Sequence, residues 1–463
     1  MRVPYTIAAL AALLGAAACR DSALPPQGQV LVYLDTNAPV RPASGLREPV
    51  ALFDRVLVEI FPPSEAVPCA ECRREFAVDA DKLRARAYSF GFVPPPRVLG
   101  YRVRLVMFRS AGGLAARRES SIELVGYLPA VREEGITEIT ATFRVEDVGA
   151  VRGTLDAPLV FEAGAPAASA EGTWPGAAVT ACATPAPEGA VCVPGGAFFM
   201  GDPRVTIEGT LLGGRRERIA VVSPFHLDSH EVTVGELRAA NLAVIDSRGR
   251  ATDPVDDVAD ELAGRCDYTS KAGPNEDRPV VCISGGLAQR YCQARGGDLP
   301  TEAELEMVAS LRGTALLPWG TRDPACTEAV VARGLLRGGD GGGGSEGCRD
   351  ADPLAIGGRT LPARAGSGSL DRVVLETGTI LDLGANVSER TRDAFQRDDG
   401  PCWSLPLVFD PRCDDDAAKY RSVKGANLVD LPVDFAQARR AVDASDKPAN
   451  VGFRCAYRAP KNP

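Results

Sequence analysis

Short runs of alternating apolar and polar residues follow the N-terminal segment of the chain. Runs of this period, rich in β-branched residues and separated by Pro and Gly turns, predict strands. The clearest are Val30–Leu34, Arg55–Ile60, Tyr101–Val106 and Ile139–Arg144. Only a possible helical turn near Asp81–Arg86 interrupts them. We therefore predict a small all-β sandwich, immunoglobulin-like in architecture but without the Cys–Trp–Cys spacing of true immunoglobulin domains.

Farther along the chain, the pattern changes to short segments with helix-start signals. A Thr followed three residues later by Glu is a capping box, which marks the first turn of a helix. Two such pairs occur, Thr233 with Glu236 and Thr301 with Glu304. After the second, three apolar residues fall on one helical face: Leu305, Val308 and Ala309.

A third helix is predicted between these two. Ser284 is a favourable N-cap, and Leu287, Tyr291 and Cys292 follow within the helix. Gly296–Gly297 ends it, because glycine readily adopts the left-handed conformation found just past a helix C-terminus.

The composition divides the chain into five parts. A stretch rich in Ala, Pro, Gly and Thr separates the two folded regions and is typical of a linker. We predict a signal peptide at 1–18, a tether at 19–28, the β-sandwich at 29–155, the linker at 156–188 and a second domain at 189–458.

The N-terminus has the pattern of an export signal. Arg2 precedes an apolar stretch, Ile7–Ala18, that is too short to span a bilayer. Cys19 follows three alanines, which resembles the lipobox of bacterial lipoproteins. We predict lipidation of Cys19 and a membrane-anchored protein of the cell envelope, since two or more acyl chains anchor stably. Ordinary cleavage after Ala18, leaving a soluble secreted protein, is the alternative.

Charge and length narrow the classes of function. The chain has 463 residues, a net charge of −9 and a pI of about 5.1. Length of this order accommodates two or three domains. Basic residues do not cluster along the sequence, so nucleic acid is not expected as a partner.

The cysteines indicate an exported protein. If Cys19 is lipidated, twelve of the 13 cysteines remain, an even number that suits disulfides in an oxidising compartment. Their spacing suggests the local pairs Cys69 with Cys72, Cys182 with Cys192, Cys266 with Cys282, Cys326 with Cys348 and Cys402 with Cys413, which leaves Cys292 with Cys455. Sequence alone does not fix this connectivity. Zinc is the alternative for the first pair, but no second pair of ligands with zinc spacing follows it.

Several segments resemble, in order, the motifs of the formylglycine-generating enzyme family, also called sulfatase-modifying factor. They are Val193–Gly201, Phe225–Thr233, Pro279–Ser284, Gly296–Ser310, Pro318–Gly320, Leu383–Arg390 and Val451–Cys455. The resemblance extends to Tyr457. It implies the irregular, loop-rich α+β fold of that family, which is related to C-type lectins, and it implies strands at Pro279–Ser284 and Ser422–Leu428.

The resemblance does not extend to the family's reaction centre. Catalytic members oxidise a substrate cysteine to formylglycine with copper and oxygen, through two cysteines in and just after the strand that corresponds to Ser422–Leu428. Here no cysteine lies between Cys413 and Cys455, and thiolate is the ligand that suits Cu(I). Copper is therefore not expected. Asp430 and Asp434 are candidate acid and base groups if the site has acquired another chemistry.

Two histidines are candidate metal ligands, since other relatives bind iron through three. His226 and His230 lie four residues apart beside Glu231, a spacing that on a helix would form a metal face. The segment resembles a strand motif, however, so we expect them to be structural or surface residues. No third histidine is present to complete a catalytic triad.

Calcium is the one metal that the resemblance leaves open. Relatives hold it in the loop that corresponds to Leu383–Arg390, and the matching positions are Asp382, Ala385, Val387 and Glu389. Oxygen ligands in a flexible loop suit calcium, and the ion would be structural. The alternative is that Glu389 is solvated or salt-bridged. A second calcium loop of relatives is not expected here, because Asp340–Gly344 lies in a glycine-rich insertion.

The family's motifs have tryptophan where this chain has Leu305, Ser388, Arg390 and Leu428. Trp403 is a partial replacement or simply a core residue. The prediction is a cell-envelope lipoprotein whose sulfatase-modifying-factor-like domain is non-catalytic and binds an envelope protein or glycan, or has a structural role. The alternatives are a formylglycine-generating or rewired enzyme, and calcium-dependent, lectin-like recognition of a glycan or peptide.

Overall fold

The structure is a computed structural model of the chain. It describes residues 28–41, 46–95, 97–110, 116–131, 134–202, 216–242, 244–245, 251–252, 266–269, 271–320, 324, 328–331, 361–428 and 439–459. Among these, no helix combines the length and apolar character needed to cross a membrane. The predicted signal peptide, Cys19, Asp340–Gly344, Asp430 and Asp434 lie outside the described residues.

Two facing sheets form the N-terminal region. Its elements are β1 (Gln29–Thr36), β2 (Arg55–Phe61), β3 (Arg73–Ala77), α1 (Ala80–Arg84), β4 (Ser89–Phe92), β5 (Arg102–Phe108), β6 (Ile122–Tyr127), β7 (Ile136–Phe143), β8 (Val151–Arg152) and β9 (Glu162–Ala163). One sheet has the order β4-β1-β7-β9, with β1 and β7 parallel, and the other has the order β3-β2-β5-β6-β8. The four runs predicted as strands overlap β1, β2, β5 and β7.

The alternating pattern explains the core of this region. In β1, Val30, Val32 and Leu34 are buried while the residues between them are partly exposed. They pack in one apolar cluster with residues of the other sheet, including Val58 and Leu105. Burying one face of each sheet against the other is what makes a two-layer β structure stable.

Smaller sheets and three helices form the C-terminal region. Its strands are β10 (Ala190–Val193), β11 (Gly196–Met200), β12 (Arg218–Val222), β13 (Phe225–Asp228), β14 (Val244–Ile245), β15 (Ala251–Thr252), β16 (Arg372–Leu375), β17 (Gly378–Leu381), β18 (Ser388–Ala394), β19 (Leu407–Phe409), β20 (Tyr420–Lys424), β21 (Arg439–Asp443), β22 (Val451–Gly452) and β23 (Ala456–Arg458). Its helices are α2 (Val234–Ala239), α3 (Gly285–Ala294) and α4 (Glu302–Ala309).

The central sheet for the site is β21-β20-β18-β22, and β10-β13-β23 joins the start of the domain to its end. Few helices and many short strands are the α+β fold predicted from the resemblance.

The helix caps agree with the sequence. Both predicted capping boxes are formed, Thr233 with Glu236 at α2 and Thr301 with Glu304 at α4. Ser284 caps α3 by accepting from the N–H of Leu287 at 3.2 Å. Gly296 follows the helix with a φ of 80°.

Two predicted strands differ from the structure. Pro279–Ser284 contributes only an isolated bridge between Thr233 and Pro279. Cys282, with a φ of 61°, breaks the extended backbone where its disulfide to Cys266 lies. The strand expected at Ser422–Leu428 ends at Lys424, because Gly425 turns the backbone with a φ of 80°.

The segment predicted as a linker packs against both regions. Trp174 is 4% exposed and lies in the apolar cluster of the N-terminal sheets. The same cluster includes Phe199 of β11, whose ring meets that of Phe53 edge-on, with centroids 6.2 Å apart. The guanidinium of Arg312 also donates to the carbonyl of Leu46. The two regions therefore share a core.

Five of the predicted disulfides are formed. They are Cys69–Cys72, Cys182–Cys192, Cys266–Cys282, Cys292–Cys455 and Cys402–Cys413. Cys69 and Cys72 are bonded to each other, so their sulfurs are not thiolates free to bind zinc. This number of disulfides indicates an oxidising extracellular or periplasmic environment.

The sixth predicted disulfide joins Cys326 and Cys348. Both cysteines lie outside the described residues. The bond between Cys326 and Cys348 therefore stays a prediction from their spacing and from the even number of remaining cysteines.

Candidate functional site

The loop predicted to hold calcium connects β17 to β18. Asp382, Ala385, Val387 and Glu389 are all buried in it, each less than 5% exposed. Asp382 and Asn386 have φ values of 54° and 65°. A left-handed conformation at two non-glycine residues is uncommon, and Asp and Asn are among the residues that tolerate it best. The loop is thus tightly bent and held inside the domain.

Four carboxylates gather around this loop, and we call Glu231, Asp371, Asp382 and Glu389 the carboxylate cluster. Their exposed fractions are 0%, 0%, 1% and 3%. Glu231 follows β13, and Asp371 precedes β16. Sequence analysis missed Asp371, because no local motif marks it: it joins the cluster by accepting backbone N–H groups of Leu383 and Gly384 at 3.1 Å.

Arg454 supplies a positive charge at the centre of this cluster. Its Nε and Nη2 atoms donate to the carboxylate of Glu389 at 2.7 to 2.9 Å. Its remaining donors bind the carbonyls of Asp228, Leu381 and Asp382. Burial would lower the pKa of Arg454, but Glu389, Glu231 and Asp382 raise it above its ordinary value. This arginine therefore stays charged inside the protein.

One guanidinium does not balance four carboxylates. Burial raises the pKa of Glu231 well above its ordinary value, and the neighbouring Asp382 raises it further. Burial and the charge of Asp382 likewise raise the pKa of Asp371. For Asp382 itself, burial is the main cause of a raised pKa. The raised pKa values mean that these carboxyls hold their protons more strongly, because burial and neighbouring negative charges disfavour the ionised form.

One observation beside the predicted donor set bears on a cation, and it concerns the carboxylate of Glu231. Oε1 of Glu231 accepts from Nδ2 of Asn386 at 3.1 Å, while Oε2 is buried without a hydrogen-bond partner among the described residues. A buried carboxylate oxygen without a partner is costly and suits a cation. Glu389 is salt-bridged, as the alternative expected, but a carboxylate has lone pairs beyond those used by a bidentate arginine.

Every cysteine in the described part of the chain is in a disulfide. Cys402 and Cys413 are bonded to each other, as predicted. At the end of β20, the strand that the resemblance aligns with the family's reaction centre, Nζ of Lys424 lies 2.6 Å from Oε2 of Glu306 on α4. Both side chains of this ion pair are buried.

Helix α4 makes three such ion pairs, which the apolar face predicted from Leu305, Val308 and Ala309 did not reveal. All eight residues of the helix are buried. Its glutamates bind cations from later strands: Glu302 with Arg439, Glu304 with Arg458 and Glu306 with Lys424. Their partners lie far away in the chain, so no local pattern in the sequence indicates these ion pairs.

The histidines do not form a metal face. His226 lies in β13 and His230 lies in the turn after it, so the helical spacing of four does not apply. His226 lies near the sulfurs of Cys182 and Cys192, but these are bonded to each other. Nδ1 of His230 contacts the carbonyl of Glu231 at 2.9 Å.

The positions of the missing tryptophans remain inside the domain. Leu305, Ser388, Arg390 and Leu428 are each at most 3% exposed. Ser388 donates to the carbonyl of Gly425 at 3.0 Å. Trp403 is 1% exposed and packs in the apolar core, so it is a core residue and no platform for a ligand.

Comparison with known proteins finds a family model and several solved structures that are similar to this chain. The Sulfatase-modifying factor enzyme 1-like domain matches residues 176–339. Among solved structures, PvdO from Pseudomonas aeruginosa is similar at 19% identity and a TM-score of 0.40, covering 58% of this chain and 93% of its own. CarF is similar at 13% identity and a TM-score of 0.34, covering 59% and 99%. Variable protein 1 of Treponema denticola is similar at 13% identity and a TM-score of 0.34, covering 58% and 96%.

No curated protein matches the chain. The motifs from Val193–Gly201 to Pro318–Gly320 lie within the matched residues, and a sheet-rich region precedes them. The chain therefore carries a domain of the sulfatase-modifying factor enzyme 1-like family.

Proposed function

We propose that this protein is an envelope lipoprotein, anchored through Cys19, whose sulfatase-modifying-factor-like domain is a non-catalytic binding or structural module. The observation that supports it most strongly is the state of the cysteines. The sequence has none between Cys413 and Cys455, and those that the structure describes are all in disulfides. Among the described residues, Cu(I) therefore has no thiolate pair to bind, and a substrate cysteine has none to exchange with.

The full-length chain, purified in detergent from a bacterial envelope, tests this proposal. It is incubated with Cu(I), oxygen and a CxPxR peptide, and aldehyde formation is followed by mass spectrometry beside an authentic formylglycine-generating enzyme. We expect no peptide conversion. Specific turnover would overturn the non-catalytic assignment in favour of the enzyme alternatives.

Lipidation of Cys19 is a separate part of the proposal. The disulfides support export, and the apolar stretch before Cys19 supports processing at that residue. Mass spectrometry of the mature N-terminus should find a diacylated Cys19 whose amino group carries a further, amide-linked acyl chain. A Cys19 without a diacylglyceryl group on its sulfur, or a Cys19→Ser variant that stays as tightly membrane-bound as the parent, would contradict the anchor.

We also propose that the carboxylate cluster holds a structural calcium ion. Asp382 and Glu389 would supply carboxylate oxygens, and Ala385 and Val387 would supply backbone carbonyls. Calcium would neutralise the negative charge that Arg454 leaves unbalanced. Because these residues are buried, an ion there would stabilise the loop. Their burial does not support direct contact between calcium and a glycan.

Thermal unfolding of the full-length protein in calcium and in chelator tests the ion. Calcium at about a hundred times its Kd should stabilise the folded state by about 2.7 kcal/mol, and magnesium by less. Asp382→Asn should abolish the difference, and the exposed Asp399→Asn should not. Equal unfolding temperatures in calcium and in chelator would refute the proposal.

A further inference from the structure

A cavity of about 160 Å³ opens beside the first turn of α3. Its polar lining comes from three arginines of β18 and β20, Arg390, Arg392 and Arg421, and from the start of the helix at Gly285 and Gly286. This site is separate from the carboxylate cluster, and neither the copper nor the calcium chemistry involves it.

The helix contributes backbone donors. α3 has ten residues, and its first N–H groups have no acceptor within the helix. Ser284 accepts from Leu287, and Gly285 donates to the carbonyl of Ala444 at 3.1 Å. Gly286, the next residue, lies at the cavity wall. The positive end of the helix dipole and these donors favour an anion.

Arg390 is the second, independent feature. It is 1% exposed, and its Nη2 donates to the carbonyls of Ile283 and Asp446. Its Nε and Nη1 atoms are buried without a hydrogen-bond partner among the described residues. A buried guanidinium with two unused donors is a strong receptor for an anion.

The small size of Gly285 lets the guanidinium of Arg390 lie next to the helix. A Cβ atom at this position would lie 3.2 Å from Nη1 of Arg390 and 3.3 Å from the carbonyl oxygen of Ala444. Glycine therefore allows the guanidinium to lie against the first turn, where a larger side chain would have to displace it. The arrangement brings the unused arginine donors and the helix N-terminus to one cavity.

The neighbouring charges leave the cavity positive. Arg392 is paired with Asp298 at 3.3 Å and with Asp416 at 2.9 Å. Arg421 donates to the carbonyls of Arg392 and Asp416. These acids therefore neutralise Arg392, while Arg390 and Arg421 bind mainly neutral carbonyl oxygens in the described part of the chain.

We propose that this cavity binds a small oxyanion, a phosphate or sulfate group. The guanidinium fork matches the paired oxygens of such a group, and the N–H of Gly286 at the positive end of the helix suits a third oxygen. The volume admits a group of that size and excludes a whole nucleotide. The group comes either from the free inorganic anion or from a monoester on a small sugar whose remainder lies outside.

Titration calorimetry on the full-length protein in detergent tests the site, at constant ionic strength. The probes are inorganic phosphate, inorganic sulfate, glucose 6-phosphate and N-acetylglucosamine 6-sulfate. We expect saturable binding of at least one probe. Stronger binding of an ester than of its inorganic anion assigns the group to an ester, and the reverse assigns it to the free anion. Absence of binding by all four probes overturns the proposal.

Variants locate the binding. Arg390→Gln removes the buried receptor and should weaken binding about tenfold or more, the loss expected for a charged hydrogen bond. Arg421→Gln, at a partly exposed side chain, should weaken it by a smaller factor and keeps the test decisive if the first variant does not fold. Arg412→Gln, at a surface arginine outside the cavity, should bind as the parent does. Unchanged affinity in folded Arg421→Gln, or an equal loss in Arg412→Gln, would refute the assignment.

Discussion

The ammonium group of Lys424 lies 2.6 Å from Oε2 of Glu306, and the two side chains are 3% and 2% exposed. Oε1 of Glu306 also accepts the N–H of Gly201 at 2.5 Å. The pair ties the last residue of β20 to α4 and, through Gly201, to the residue after β11. A charge this deeply buried depends on its partner, because water cannot replace it.

Lys424→Met should therefore destabilise the protein strongly. Glu306 would be left as a buried charge, and removing one partner of such a pair costs about 3 to 5 kcal/mol. Lys424→Met combined with Glu306→Gln should regain much of that loss, since the glutamine keeps an acceptor for Gly201. Urea unfolding measures both variants.

The control for this prediction is a surface pair. Arg397 and Asp399 are 83% and 71% exposed, and Arg397→Met should change the free energy of unfolding by less than about 1 kcal/mol. If Lys424→Met costs no more than this control, the pair is not the structural tie that its burial indicates.

The disulfide between Cys292 and Cys455 should contribute most among the described ones. It closes a loop with a separation of 163 residues, against 3 for Cys69–Cys72. The chain-entropy relation gives about 5 kcal/mol for the long loop and about 2 kcal/mol for the short one. Replacing each pair with alanine and comparing urea unfolding checks the order. An equal or larger loss for Cys69–Cys72 would contradict it.

Local signals along the chain predicted where the helices start, but not the ion pairs that their glutamates make inside the domain. A capping box needs only Thr301 and Glu304, three residues apart, so the sequence reveals it. The same glutamate is buried against Arg458, and this partner lies 154 residues away. Non-local pairing of this kind has no signature in a local window of the sequence.

The grouping of the three cavity arginines could be predicted only in part from the sequence. Arg390 and Arg392 are two residues apart in β18, a spacing that places side chains on one face of a regular strand. Arg421 reaches them only through the pairing of β18 with β20. The sequence has no basic run, yet the fold brings three arginines together in one cavity. Basic runs in a sequence therefore do not reveal a cavity of this kind.

Asp267 should make stability depend on pH. Its carboxyl is fully buried, Oδ1 accepts from the N–H of Val281 at 3.2 Å, and Oδ2 has no partner among the described residues. Burial raises its pKa from 3.8 to about 7. Between these values the folded protein holds a proton that the unfolded chain has released. The free energy of unfolding should fall as pH rises through this window, by up to about 1.4 kcal/mol per pH unit, and then level off.

Asp267→Asn isolates this contribution, because the amide stays neutral. The variant should lose less stability than the parent between pH 4.5 and 7.5, and the exposed Asp399→Asn should follow the parent. Urea unfolding across this range measures the difference between the profiles, so other carboxyls common to both proteins cancel. Parallel profiles for the parent and Asp267→Asn would show that Asp267 does not retain its proton.

The shared core predicts that the N-terminal sheets and the family domain unfold together. Phe199 of β11 lies in the same cluster as Phe53 of the N-terminal region, and Cζ of Arg109 lies 5.0 Å from the centre of its ring. Phe199→Ala should cost about 3 to 5 kcal/mol, the loss usual for a buried phenylalanine. Since the ring contributes to both regions, calorimetry should give one transition in the parent and an earlier single transition in the variant.

Hydrogen exchange distinguishes this outcome from independent unfolding. Amides of β1, in the N-terminal region, and of β13, in the family domain, should lose protection together in Phe199→Ala. Phe409→Ala, at a phenylalanine that is 63% exposed, should leave both unchanged. Loss of protection in β13 alone, or two separate calorimetric transitions in the parent, would mean that the contact between Phe53 and Phe199 does not couple the two regions. Coupling is expected because removing the ring leaves a cavity between both sets of strands, and neither set can close it alone.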